Sequence, residues 1–203
     1  MKIKSKYKIA RRLGPGVFEK TQTQKFALRS ESGKKTFKKG GRGLSEFGKA
    51  LLEKQKARFT YVVNERQFKK YAEVAISKHD KKPEDSLFQG LELRLDNVVY
   101  RLGLASTRLA ARQIVGHGHI SINKKRVTVP SYKVSIGEII SVTPRSNSSK
   151  LFSSVAERLK EYNVPGWLYF DVSKMEGKAI SLPKLSPTEL HFDISTILDF
   201  YRR

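Results

Sequence analysis

The chain has 203 residues, no cysteine, and 41 lysines and arginines against 19 aspartates and glutamates, a formal charge of +22 at neutral pH. That length allows one large core or two small ones, and the missing thiols exclude disulfides and thiolate-held metals. A compact chain this basic repels itself, so its natural partner is a polyanion.

The excess is localised. Residues 1–50 carry 15 basic and 3 acidic side chains and residues 101–150 carry 9 and 1, whereas 51–100 and 151–203 are nearly balanced. A merely solubilising surface would mix the signs. No apolar run is long enough to span a bilayer, and no apolar stretch follows the basic start, so a cytoplasmic protein is expected.

Residues 1–43 read as a basic, largely extended N-terminal arm. Gly14-Pro15-Gly16 is a break, and Gly33, Gly40, Gly41 and Gly43 stand among Lys34, Lys35, Lys38, Lys39 and Arg42. Such a stretch buries too little apolar surface to offset chain entropy and orders on a polyanion instead. Helical spacing begins near Ser45 and continues through Arg58. A second helix is predicted over Glu65 to Lys78, with Phe68, Ala72, Ala75 and Ile76 on one face. The strongest pattern, Phe88, Leu91, Leu95, Val98, Val99 and Leu102, predicts one helix over Leu87 to Leu102, stopped by Gly103. Thr107 then caps a short helix from Arg108 to Val115.

At Ile120 the period changes to two. Ile120 and Ile122, a turn at Asn123-Lys124-Lys125, then Val127 and Val129 predict a β-hairpin ended by Pro130, and Glu138 to Val142 a further strand. The Ser-rich stretch Ser146 to Ser154 marks a boundary. A helix is predicted near Leu151 to Tyr162. The tail 151–203, too small for its own core, is expected to pack on the early helices, with Trp167, Tyr169, Phe170, Phe200 and Tyr201 filling core rather than stacking on bases.

The functional signal lies in residues 94–132. Arg108 and Arg112, four apart, share a helix face, and the helix N-terminus adds free N–H groups. Gly116-His117-Gly118-His119 brings two imidazoles beside a hairpin tip carrying Asn123, Lys124, Lys125 and Arg126. Cations fixed on a stiff platform suit the phosphates and 2′-hydroxyls of folded RNA, which is read largely by shape. The two histidines have no partnered carboxylate, so neither catalysis nor metal binding is expected. Asp96, on a basic helix, reads as the internal partner of a nearby arginine.

The stretch Leu93-Arg94-Leu95-Asp96-Asn97-Val98-Val99-Tyr100-Arg101-Leu102-Gly103, with Ala111-Arg112-Gln113, Gly116-His117-Gly118-His119-Ile120 and Pro130-Ser131-Tyr132, resembles the RNA-binding module named after small-subunit ribosomal protein four. Glu53 to Arg58 and Asn64 to Phe68 resemble that protein's helical domain. Val164-Pro165-Gly166-Trp167-Leu168, Glu176-Gly177-Lys178, Leu182-Pro183 and Asp199 to Arg203 resemble its tail. The resemblance implies an α+β fold in which a mainly helical domain, 44–90 completed by 151–203, carries an inserted helix-plus-hairpin module, 91–150. It implies a non-enzymatic protein that binds a multi-helix junction of 16S-type rRNA early in small-subunit assembly. It also implies a place where mRNA enters, beside ribosomal protein five, and an influence on accuracy, in the ribosome of a bacterial cytoplasm or an organelle. No cofactor, metal, membrane or self-association is implied.

The residues expected at RNA are Arg11, Arg12, Lys34, Lys35 and Arg42 in the arm and Lys54, Lys56, Arg58 and Arg66 on the helices. In the module they are Arg94, Arg101, Arg108, Arg112, His117, His119, Asn123, Lys124, Lys125, Arg126 and Tyr132. Charge reversal at Arg108 and Arg112 is expected to weaken RNA binding and spare the fold. Three departures from the family's pattern stand out. Tyr7, Ala10, about Thr21 and Phe26 occupy positions where many members hold zinc through cysteines. Leu109 replaces a basic residue beside Arg108, and Lys124 replaces the glycine that favours a tight type I′ turn. An RNA-modifying enzyme would need a catalytic domain for which the tail is too short. A membrane-surface protein would carry its cations on an amphipathic apolar helix.

Overall fold

A computed structural model describes residues 3, 5–33, 44–77, 82–147, 149, 151–153, 155, 159, 162–186 and 190–202, with the side chains of 27, 30–33 and 147 excepted. The fold is α+β, as expected. It divides into two compact units, Met1–Leu87 with Leu185–Arg203, and Phe88–Lys184. Among the described residues no helix is long and apolar enough to cross a membrane.

The first unit begins with helices where extended chain is predicted: α1 (Lys6–Leu13) and α2 (Gln24–Gly33), separated by two 3-10 turns. The reason is a small core that the density of lysines hides in the sequence. Ala10, Leu13, Val17, Phe18 and Phe26 are buried together, with Ile9, Leu52 and Phe59 packed against them. The Thr21 hydroxyl donates to the carbonyls of Pro15 at 2.7 Å and Phe18 at 2.8 Å, closing the loop between the helices. Three of the positions matched to zinc cysteines, Ala10, Thr21 and Phe26, are thus buried, the first and last within this cluster. Lys34, Lys35 and Arg42 fall outside the described residues.

Helix α3 (Glu46–Thr60) is capped by Ser45, whose hydroxyl accepts the Gly48 N–H at 3.2 Å. Asn64 caps α4 (Glu65–Ser77) in the same way through the Gln67 N–H. The last helix of the chain packs on both α3 and α4. It buries Ile194, Ile197 and Leu198 and sets the Tyr201 ring 6.2 Å from Phe68.

In place of one helix over 87–102 the structure has two, α5 (Pro83–Glu92) and α6 (Leu95–Arg101), parted at Arg94 with φ −68° and ψ 138°. Residues 130–134 run alongside and take the backbone groups that a helix would use. The Leu95 N–H donates to the Tyr132 carbonyl and the Val134 N–H to the Leu93 carbonyl, both at 2.8 Å. Apolar periodicity cannot report this competition, because both helices keep the same stripe.

Helix α7 (Arg108–Gly116), capped by Thr107 as predicted, leads into β1 (Ile120–Ile122) and β2 (Lys125–Arg126). Asn123 and Lys124 turn between them with φ of 48° and 65°. Both are left-handed, as a type I′ turn requires, so the turn is tight despite the absent glycine. Asn123 secures it by accepting the Ile139 N–H through its side chain and donating to the Ile139 carbonyl through its backbone. The second strand is shorter than predicted, although the Val127 N–H still donates to the Ile120 carbonyl.

The sheet is antiparallel, ordered β2-β1-β3-β5-β4, with β3 at Ile139–Val142, β4 at Leu168–Asp171 and β5 at Glu176–Ala179; the short helix α8 (Pro144–Asn147) follows β3. The tail therefore does not go to the helical unit as one piece: β4 and β5 extend the module's sheet, and only Leu185–Arg203 groups with the first unit. Gly177 shows why. It pairs with Ile140 and with Phe170, and a Cβ there would stand 2.5 Å from a Leu102 methyl. Leu168, Ala179, Phe152 and Val155 complete one core with Leu95, Val98, Ile120 and Ile140. Tyr169 is 59% exposed, against the expectation that it fills core. The helix near Leu151 to Tyr162 lies largely outside the described residues. The final helix is α9 (Ile194–Arg202).

Candidate nucleic-acid interface

The α6–α7 face is a lattice of four arginines, three held by two buried carboxylates and the fourth by the Asn97 amide. Asp96 accepts two bonds from Arg94, at 3.0 and 2.7 Å, and one from Arg112 at 3.3 Å. Glu92 accepts from Asn97 at 2.8 Å and from Arg101 at 2.9 and 2.8 Å. The Asn97 carbonyl oxygen accepts from Arg108 at 2.8 Å, and that guanidinium lies 4.4 Å from the Tyr100 ring centroid. Arg108 and Arg112 do share a face, and the lattice fixes both. Four cations meet two anions, so the face stays positive while its side chains lose little entropy on meeting a phosphate.

This geometry corrects one assignment outright. Arg94 is 1% exposed and its guanidinium is spent on Asp96, so it stands inside the platform and does not reach RNA. It also revises the expected effect of reversing Arg108 and Arg112. Both are tied to buried acceptors, and reversal would disturb the fold along with any binding.

The hairpin tip is different. Lys124, Lys125 and Arg126 are exposed, as are Asn123 and His117. Arg126 crosses Gly118, where φ is +76° and a Cβ would stand 2.1 Å from its Nε, and donates to the His117 carbonyl at 3.2 Å. Only glycine permits that crossing. His119 is half-buried, its Nδ1 2.9 Å from the Ser146 hydroxyl and its ring edge-on to Phe152. Tyr132 acts as a strut: its hydroxyl donates to Glu138 at 2.7 Å, and this bond raises its pKa. Glu138 also accepts the Ser135 N–H.

In the first unit Arg11 and Arg12 are exposed at the end of α1, and Arg66 is exposed on α4. Lys54 is not available. It is buried, donates to Glu65 at 2.8 Å, and sits 4.4 Å from the Phe200 ring centroid, a second correction. Arg58 reaches the other oxygen of Glu65 at 2.8 Å, and Lys56 pairs with Glu53 at 2.6 Å. Burial alone pushes the Glu65 carboxyl up, but hydrogen bonds from Lys54, Tyr201 and Arg58 outweigh it and hold the group below its usual range. Burial and the bond to Glu65 push the Tyr201 phenol far above its own.

Glu92 and Ser146 also organise the site, yet neither stood out in the sequence as a site residue, and Asn97 and Gly118 lay within the quoted motifs without a role of their own. Glu92 and Asn97 sit inside helical patterns, and Ser146 opens what reads as a linker. Among the described residues no group of three or more histidines and acids is placed to hold a metal. A rigid helix-plus-hairpin whose exposed charged groups, among the described residues, are all cations defines an RNA-binding module.

Comparison with known proteins agrees. Residues 93–140 match the S4 domain, and residues 2–92 match the ribosomal protein S4/S9 N-terminal domain. Relatives named small ribosomal subunit protein uS4 occur in Chloroflexus aurantiacus, 38% identical over 97% of this chain and 96% of the relative, and in Ligilactobacillus salivarius, 41% identical over the same shares. Small ribosomal subunit protein uS4A of Alkaliphilus oremlandii is 44% identical over 84% of each chain. The chain belongs to the ribosomal protein S4 family, whose members are structural proteins rather than enzymes.

Proposed function

We propose that this protein is a structural constituent of the small ribosomal subunit and a primary rRNA-binding protein. It holds a multi-helix junction of 16S-type rRNA early in assembly of the subunit body. The observation that carries this reading is the run of exposed cations Lys124, Lys125 and Arg126 on a tight turn, beside a pinned arginine face. Such groups offer charge to phosphates, and the tight backbone turn that carries them favours a prefolded RNA shape. Arg101, Arg108, Arg112, His117 and His119 join them, with Arg11, Arg12, Lys56, Arg58 and Arg66 contributing from the helical unit. Lys34, Lys35 and Arg42 add charge from the arm.

Family membership supports the finer role: a place beside ribosomal protein five where mRNA enters the subunit, and a contribution to translational accuracy. Exposed apolar groups on the sheet, Tyr169, Ile139 and Ile180, suit a protein neighbour better than RNA. The test is sucrose-gradient fractionation of a lysate with protein–RNA crosslinking. Co-migration with the small subunit and crosslinks to its rRNA are expected; a chain that sediments alone contradicts the proposal.

A further inference from the structure

Beside the hairpin lies a cleft of about 410 Å³ lined by two imidazoles, His117 and His119, two guanidinium groups, Arg126 and Arg145, and the hydroxyls of Thr143 and Ser146. No carboxylate stands among the described residues that line it. The complement of such a lining is an anion with several acceptor oxygens.

The walls are built and not merely charged. Ser146 is buried, and its hydroxyl lies 2.9 Å from His119 Nδ1 and 2.8 Å from the Thr143 hydroxyl. In the His119 tautomer that accepts from Ser146 at Nδ1, the other ring nitrogen is the donor left for a ligand. Arg126 is held at the mouth by its crossing of Gly118 and its bond to the His117 carbonyl. The groups come from three places, the turn after α7, strand β2, and the segment after β3 that includes α8. Donors converging from separate segments fit a tetrahedral phosphate better than a planar carboxylate, which pairs best with a single fork.

We propose that this cleft is a phosphate-binding subsite, with Arg145 as its specific member and Ser146 as the group that orients His119, and that it takes one phosphate of a nucleic-acid backbone. The assignment of that phosphate to RNA rests on the ribosomal reading; the phosphate chemistry does not.

The full chain carries its own reporters. Inorganic phosphate is titrated at constant ionic strength while the imidazole resonances are followed by NMR. His117 and His119 should shift saturably, His191 of the other unit should not, and Arg145→Glu should abolish the response. Shifts that fail to saturate, or that move His191 equally, overturn the proposal. Arg145 is exposed, so its replacement leaves the core intact, and Arg145→Gln repeats the test without a reversed charge. In parallel, binding of the rRNA junction is measured. A loss of about tenfold or more in the Arg145 variants, as expected of one charge-assisted contact, places an RNA phosphate in the cleft. Unchanged RNA affinity with the phosphate response intact assigns the cleft to a free phosphate and overturns the RNA assignment. A wild-type chain that ignores the junction at low salt contradicts the ribosomal reading, and the phosphate titration still decides the cleft.

Discussion

Asp96 sits between the guanidinium groups of Arg94 and Arg112, with its side chain and that of Arg94 both closed off from water. A buried pair of this kind contributes little over an apolar replacement, but removing one partner leaves an uncompensated charge. Asp96→Ala should therefore lower stability by about 3–5 kcal/mol, read as a shift in the urea midpoint. That Asp96 would serve an arginine was legible, because an acid on a basic helix has few other uses. That Arg94 is the arginine it buries was not. On a helical projection Arg94 looks like its neighbours, and only residues 130–134, distant in sequence, close over it.

Among the elements, the hairpin turn holds two conflicting demands. Lys124 occupies a left-handed conformation at φ 65°, which costs a residue with a side chain roughly 1–2 kcal/mol. Lys124→Gly should accordingly stabilise the module by about 1 kcal/mol and at the same time weaken RNA binding. Loss of stability with RNA binding unchanged would show that the lysine serves the fold and not the ligand. Helix α9 is fastened to α3 and α4 partly through Glu65, which accepts from Tyr201, Lys54 and Arg58. Its carboxyl is held below the usual range, so the unfolded chain binds more protons in mild acid than the folded one does. The stabilisation is complete above the unfolded pKa and disappears as pH falls through the folded value. Glu65→Gln should unfold at lower urea than wild type at neutral pH, and the two midpoints should converge in acid. A constant gap across that range would mean that titration of Glu65 plays no part.

Helix starts were the most legible feature: Thr107 caps as predicted, and the helix expected to begin near Ser45 begins at Glu46. What the sequence concealed were elements defined by partners far along the chain. The split at Arg94 comes from residues 130–134, the recruitment of β4 and β5 from the fit of Gly177 against Leu102, and the folding of 6–33 from a few apolar residues scattered among lysines.

For the molecule as a whole, the described cations at and around the site fall into three groups. Arg94 and Lys54 are buried in internal pairs, Arg101, Arg108 and Arg112 are half-exposed and tethered, and Lys124, Lys125 and Arg126 are exposed at the tip. Composition points to a polyanion as the partner; only the fold separates cations that hold the protein together from those that face outward. Measuring the association constant for the small-subunit rRNA junction across a salt series, for wild type and for the triple variant Lys124→Glu, Lys125→Glu, Arg126→Glu, tests that separation most directly. Wild type should show log K falling steeply and linearly with log salt, and the variant a slope shallower by about two to three, at close to one per lost phosphate contact, with an unchanged urea midpoint. Parallel lines for the two proteins, or a wild-type chain indifferent to the junction at low salt, would contradict the account.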